Sequence, residues 1–149
     1  MFRGARYFSY CDRTIFHMNA KQWLIIGGAV LVLIAVLGFG GIIGPTADSS
    51  IFGDFWVFTN PENYAHLVLG IAGLISAFVL PSNLQKYLVY ILGVVALFFG
   101  VYSGFISGDF YGASLENPAD TILHLAVGVW ALYAASNTSE SMSMGGGMM

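Results

Sequence analysis

The chain has 149 residues, of which 57% are apolar and 9% charged, with a net charge of −3 and a single cysteine, Cys11. A soluble domain carries nearer a quarter charged residues, so the composition points to lipid, and one cysteine excludes an intrachain disulfide. The five basic residues are too few to form a nucleic-acid reading surface.

Residues 1–21 mix Arg3, Arg6 and Arg13 with Phe2, Tyr7, Phe8, Tyr10 and Phe16. Two readings are open: a short interfacial helix with its rings at headgroup depth, or a poorly ordered leader. Met18 precedes a conventional lead-in to a span and is a second candidate start. Cys11 and His17 carry no assigned role, and no cleavable signal peptide is expected.

Four stretches reach the roughly 20 apolar residues that a spanning helix needs: Trp23 to Ile43, Pro61 to Leu80, Tyr87 to Ile106 and Pro118 to Ser136. The first carries Gly40 and Gly44 at its far end, and the third carries Gly100, Gly104 and Gly108. Four-residue glycine spacing lets helix backbones approach closely in lipid. The loop after each of these spans holds a related motif, Gly53-Asp54-Phe55-Trp56 and Gly108-Asp109-Phe110-Tyr111. An interfacial aromatic belt is the expectation for both; a lid over the heads of spans two and four is the sharper alternative.

Spans two and four begin alike, at Asn60-Pro61 and Asn117-Pro118, with Asn read as N-cap and Pro as first helical residue. Glu62, His66, Gly70, Gly73 and Ala77 then recur at one constant interval as Asp120, His124, Gly128, Ala131 and Ala135. On a helix this places a carboxylate, a histidine and three small residues along one stripe. The chain is therefore read as all-α and polytopic, with four transmembrane helices forming a duplicated helical hairpin, residues 22–80 and 84–137, in an up-down-up-down bundle. Residues 138–149 are a Ser/Gly/Met tail expected to be disordered. Its Met142, Met144, Met148 and Met149 have no fixed geometry for Cu(I).

Arg3, Arg6, Arg13, Lys21 and Lys86 all fall on one side of the spans, and the loops on the other side hold only acids. The positive-inside rule predicts both termini in the cytoplasm of a multi-pass cell-membrane protein.

An ionisable residue inside a span is costly and directs attention to itself. The leading reading of His66 and His124 is structural: a polar layer with Glu62 and Asp120, bonded to neighbours such as Tyr102 and Ser103, with Gly70 and Gly128 allowing close approach. A second reading makes the pair ligands of a haem b or, with Glu62 and Asp120, of a divalent metal. The Glu-x-x-x-His spacing departs from the Glu-x-x-His of bundle carboxylate sites, and no cofactor is predicted. A third reading is a sensor of external pH. Catalytic motifs are lacking, so no enzyme is expected. The role that follows is a structural or accessory membrane component, whose partners are the bilayer and, beyond it, other membrane subunits or copies of itself.

The two His-Leu-x-x-Gly heads, in Asn-Pro-Glu-Asn-Tyr-Ala-His-Leu-Val-Leu-Gly and Asp-Thr-Ile-Leu-His-Leu-Ala-Val-Gly, resemble a bacterial family of four-helix membrane proteins of unknown function. The resemblance covers about residues 22 to 136 and rests on His66, Gly70, His124 and Gly128. It implies a small integral membrane protein and supplies no activity.

Overall fold

The computed structural model describes residues 18–138. The expectations for the N-terminal leader before Met18, including Cys11 and His17, and for the methionines of the tail lie outside the described residues.

Four helices long and apolar enough to cross a membrane make up the fold: α1 (Ala20–Phe39), α2 (Asn60–Val79), α3 (Ser82–Phe105) and α4 (Ala119–Ser136). Helix α1 starts before Trp23 because Asn19 and Gln22 form a reciprocal capping box, each side chain bonded to the other's backbone N–H at 3.0 Å. It stops at Gly40, and Gly41 then turns the chain at φ +70°.

The expected caps of α2 and α4 each move by one residue. Thr59 is the N-cap of α2, so Asn60 and Pro61 lie inside the first turn. In α4 the N-cap is Pro118 itself, reached through a cis Asn117-Pro118 bond, and the helix begins at Ala119. Between α2 and α3 the chain turns within a few residues. There the Gln85 amide lies 2.8 Å from Leu80 O and 3.0 Å from Ala77 O, satisfying carbonyls that the end of α2 leaves open.

Helix α1 packs along α2 and α3 along α4, and the hairpins meet chiefly through α1 with α3 and α4. Each hairpin closes on a glycine pair. A Cβ on Gly28 would lie 2.9 Å from Gly70 O, and one on Gly70 2.8 Å from Gly28 O. In the second hairpin a Cβ on Gly93 would lie 3.2 Å from Gly128 O, and one on Gly128 3.0 Å from Gly93 O. Backbones therefore touch where lipid provides no hydrophobic drive between helices and packing has to supply the attraction.

The chain-terminal end of the bundle holds the apolar core, where Trp23 and Leu24 of α1 meet Ala77, Val89, Ala131, Ala134 and Ala135. Trp23 and Trp130 lie 5.8 Å apart, and Thr138 Oγ1 accepts from Ala20 N at 2.8 Å while donating to Ala134 O. The opposite, loop end is where the polar residues collect. Its first segment makes two short 3-10 turns, Ala47–Ser49 and Gly53–Phe55. Its second folds into a small antiparallel hairpin, β1 (Asp109–Phe110) and β2 (Ala113–Ser114). Tyr111 and Gly112 link the strands with both φ positive, as a two-residue hairpin turn of this hand requires.

Candidate functional site

The polar layer is built from the first turns of α2 and α4. Glu62 is the third residue of α2, and its carboxylate accepts from Thr59 N at 2.8 Å and from Thr59 Oγ1 at 2.7 Å. It is a capping acid, 6% exposed, at the positive end of its helix.

Asp120, 2% exposed, occupies the corresponding place in α4 but does something different. Its Oδ2 accepts from Glu116 N at 2.9 Å, holding the chain that leads into the helix, and its Oδ1 accepts from Trp56 Nε1 at 3.0 Å. Trp56 belongs to the other hairpin's loop. The contact joins the two halves of the molecule.

The histidines lie one turn deeper. His124 Nδ1 is 2.8 Å from Asp120 O. A carbonyl only accepts, so this bond puts the proton on Nδ1 and leaves Nε2 as the acceptor. His66 Nδ1 is buried and faces Glu62 O, one turn back, without the geometry of a full hydrogen bond, and its ring meets Phe58 edge-on at 5.6 Å. The His124 ring lies 6.0 Å from Phe99. The polar heads of α2 and α4 are linked through Trp56 of the first loop, while the small residues below them face α1 and α3 respectively. Among the described residues, no three His, Cys, Asp or Glu side chains are placed to hold a metal ion.

Tyr102 and Ser103 are not the histidines' partners. The Tyr102 hydroxyl donates to Asp109 O at 3.4 Å and its ring packs on Phe110. Ser103 pairs with Thr121 at 2.8 Å and also donates to Gly100 O, a buried link between α3 and α4.

Of the glycines, Gly70 and Gly128 sit at the two backbone contacts, and Gly73 faces Leu24 and Gly28 on α1. A Cβ on Gly100 would lie 2.8 Å from Leu125, and one on Gly104 3.1 Å from Thr121. Gly40 and Gly44 lie at no helix contact. Gly40 is the exposed cap of α1, and Gly44 packs on the backbone of Phe58 within the loop.

Gly28 and Gly93, the partners of Gly70 and Gly128, are not among the expected packing glycines, although a signal for both exists: Gly28 and Ala35 stand seven residues apart on α1, as do Gly93 and Gly100 on α3. Gly38 makes room for the fully buried Asn63, whose amide donates to Phe58 O at 3.1 Å.

The two loop motifs are used in opposite ways. In the first, Trp56 turns inward to Asp120 and Phe55 is 61% exposed. In the second, Phe110 packs on Phe98, Phe99 and Tyr102 while Tyr111 is 91% exposed. One ring of each motif covers a helix head and the other faces outward, as interfacial aromatics do. Thr59 Oγ1, 3.2 Å from Gly112 O, brings the two loops together.

No protein-family model, no curated protein and no solved structure matches this chain.

Proposed function

We propose that the chain is a small, non-catalytic structural or accessory component of the cell membrane, with both termini cytoplasmic, serving within a larger membrane assembly. The observation that carries this reading is the use to which Asp120 is put. Both of its oxygens are engaged in holding Trp56 of one hairpin and the lead-in of the other, so the most buried acid of the polar layer works as a fastener. Glu62 as a helix cap and His124 bonded to Asp120 O fit the same role. The hairpins are then copies of one unit, tied at the loop end by polar bonds and at the other end by the alanine and tryptophan core. The resemblance of their His-Leu-x-x-Gly heads to a bacterial membrane family accords with this and adds no activity.

The test is the double variant His66→Gln/His124→Gln purified in mild detergent. Its melting temperature should fall, while its visible absorption and metal content match those of the wild type. A wild-type Soret band, or stoichiometric metal lost in the variant, would end the structural reading. It would favour instead a haem- or metal-binding protein, a reading supported by His66 Nδ1, which lacks a full hydrogen bond. Reporter fusions after Thr138 check the orientation, and a reporter active outside the cell would reverse it.

A further inference from the structure

Glu116 stands four residues before Asp120, in the segment that leads from β2 into α4. Asp120 Oδ2 accepts from the Glu116 backbone N–H at 2.9 Å, and the Glu116 side chain turns back so that its carboxyl faces the Asp120 carboxyl within hydrogen-bonding reach. Glu116 Oε1 accepts from the Ser114 hydroxyl, whereas Oε2 is shielded from solvent and receives no donor. The other Asp120 oxygen, Oδ1, takes the bond from Trp56 that ties the hairpins together.

Two carboxylates in direct contact do not both stay ionised; one proton between them removes the repulsion. The surrounding elements contribute Asp54 from the first loop, Glu62 and His66 from α2, Tyr102 from α3, Asp109 from β1 and His124 from α4 itself. His124 engages the Asp120 backbone carbonyl and not its carboxyl. Among the described residues the lysines, Lys21 and Lys86, stand in the first turns of α1 and α3, at the other end of the bundle, and no arginine is present. Relief of the two acids therefore falls to a proton. Placed on Glu116 Oε2, it turns an orphaned acceptor into a donor and leaves Asp120 negative, so that the bond from Trp56 is charge-assisted.

We propose that Glu116 and Asp120 share a single proton and that its release unlatches the two hairpins at the loop end. With the proton in place, the pair closes the lead-in to α4 over Asp120 and holds the acceptor for Trp56 in position. Without it the two charges repel, and Glu116 swings toward the groove of about 780 Å³ that it lines together with Asp54 and Ser103. The proton leaves to solvent by the same groove. The inference rests on the reading of Asp120 as a fastener and adds what controls it. Its sign follows from linkage. Above about pH 5 the separated carboxyls of the unfolded chain have released their protons while the folded pair keeps one, so the folded state loses stability as pH rises until that proton has gone.

The experiment is thermal unfolding of the full chain in mild detergent from about pH 5 to about pH 9, comparing the wild type with Glu116→Gln, whose amide keeps a donor on Asp120 at every pH and leaves the histidines untouched. Over the interval in which the proton is lost, the wild-type ratio of folded to unfolded chain should fall relative to that of Glu116→Gln by up to about tenfold per pH unit, the effect of one proton. Parallel profiles overturn the shared proton. Infrared spectroscopy of the wild type alone gives a check that does not depend on the variant folding: the C=O stretch of a protonated carboxyl should be present at neutral pH and vanish at the alkaline end, and a spectrum without that loss overturns the proposal. Trp56→Phe separates the two readings. Undiminished stability in that variant would refute the fastener itself, whereas a loss at Trp56 with parallel wild-type and Glu116→Gln profiles refutes only the proton.

Discussion

The two hairpins start from nearly the same stripe of residues and reach different ends. In the lower halves they agree, with a glycine pair at the crossing and alanines beneath. At the heads they diverge: Glu62 is absorbed by its own helix cap, whereas Asp120 reaches across to Trp56 of the other hairpin. The equivalent reach in the other direction, from Tyr111 to Glu62, is not made, because the two-residue turn of the second loop carries Tyr111 outward. Packing within a hairpin is thus common to both halves, whereas only one of the two buried acids fastens them, with Thr59 Oγ1 to Gly112 O a longer return contact. Two helices with the same stripe can share a packing face while their capping residues take on separate tasks.

The strongest way to break the shared part is at the glycines. Gly70→Ala places a methyl 2.8 Å from both Gly28 O and a Val32 methyl, so neighbouring backbone has to move at a cost of up to about 3 kcal/mol. Gly93→Ala, whose nearest neighbour is the Ala131 methyl at 3.0 Å, should cost less than half as much, about 1 kcal/mol. Denaturation in detergent measures both, and equal losses would mean that the first hairpin is not the tighter crossing.

The unequal use of the two loop rings predicts an intermediate effect. Trp56→Phe leaves a buried Asp120 oxygen without its donor and should cost about 1 to 2 kcal/mol, while Tyr111→Phe, at 91% exposure, should stay within about 0.5 kcal/mol. Thermal unfolding of the two variants decides this, and a Tyr111 effect as large as that of Trp56 would restore symmetry to the heads.

The histidines should give the smallest difference. His124→Phe loses the bond to Asp120 O, worth about 1 kcal/mol. His66→Phe keeps the ring contact with Phe58 and gives up only a poorly formed contact with Glu62 O, so it should cost less than about 0.5 kcal/mol. A loss at His66 exceeding that at His124 would show that the contact with Glu62 O is a full hydrogen bond in the membrane.

The spans and the small-residue stripe were legible in the sequence because both are periodic and local. Helix length follows from apolar runs, and the buried face follows from Gly70, Gly73 and Ala77 and from Gly128, Ala131 and Ala135. The loop end was less legible. Trp56 and Asp120 are 64 residues apart, and no spacing rule connects an indole in one loop to an acid on a distant helix. The likeness of the two aromatic motifs suggested equivalent loops, yet a 3-10 turn in one and a hairpin turn in the other send opposite rings inward. Tyr102 failed as a histidine partner for a similar reason: equal depth along two helices does not determine which faces oppose one another.

Thr138 has a consequence for whatever engages the ends of the chain. Its hydroxyl pins the first turn of α1 to the last turn of α4, so the polypeptide leaves the bundle in both directions from a single spot. Groups attached at the two exits share a small volume, with an effective concentration on the order of millimolar. A partner able to grip both would hold far more tightly than its grip on either one alone, with no new contact inside the membrane.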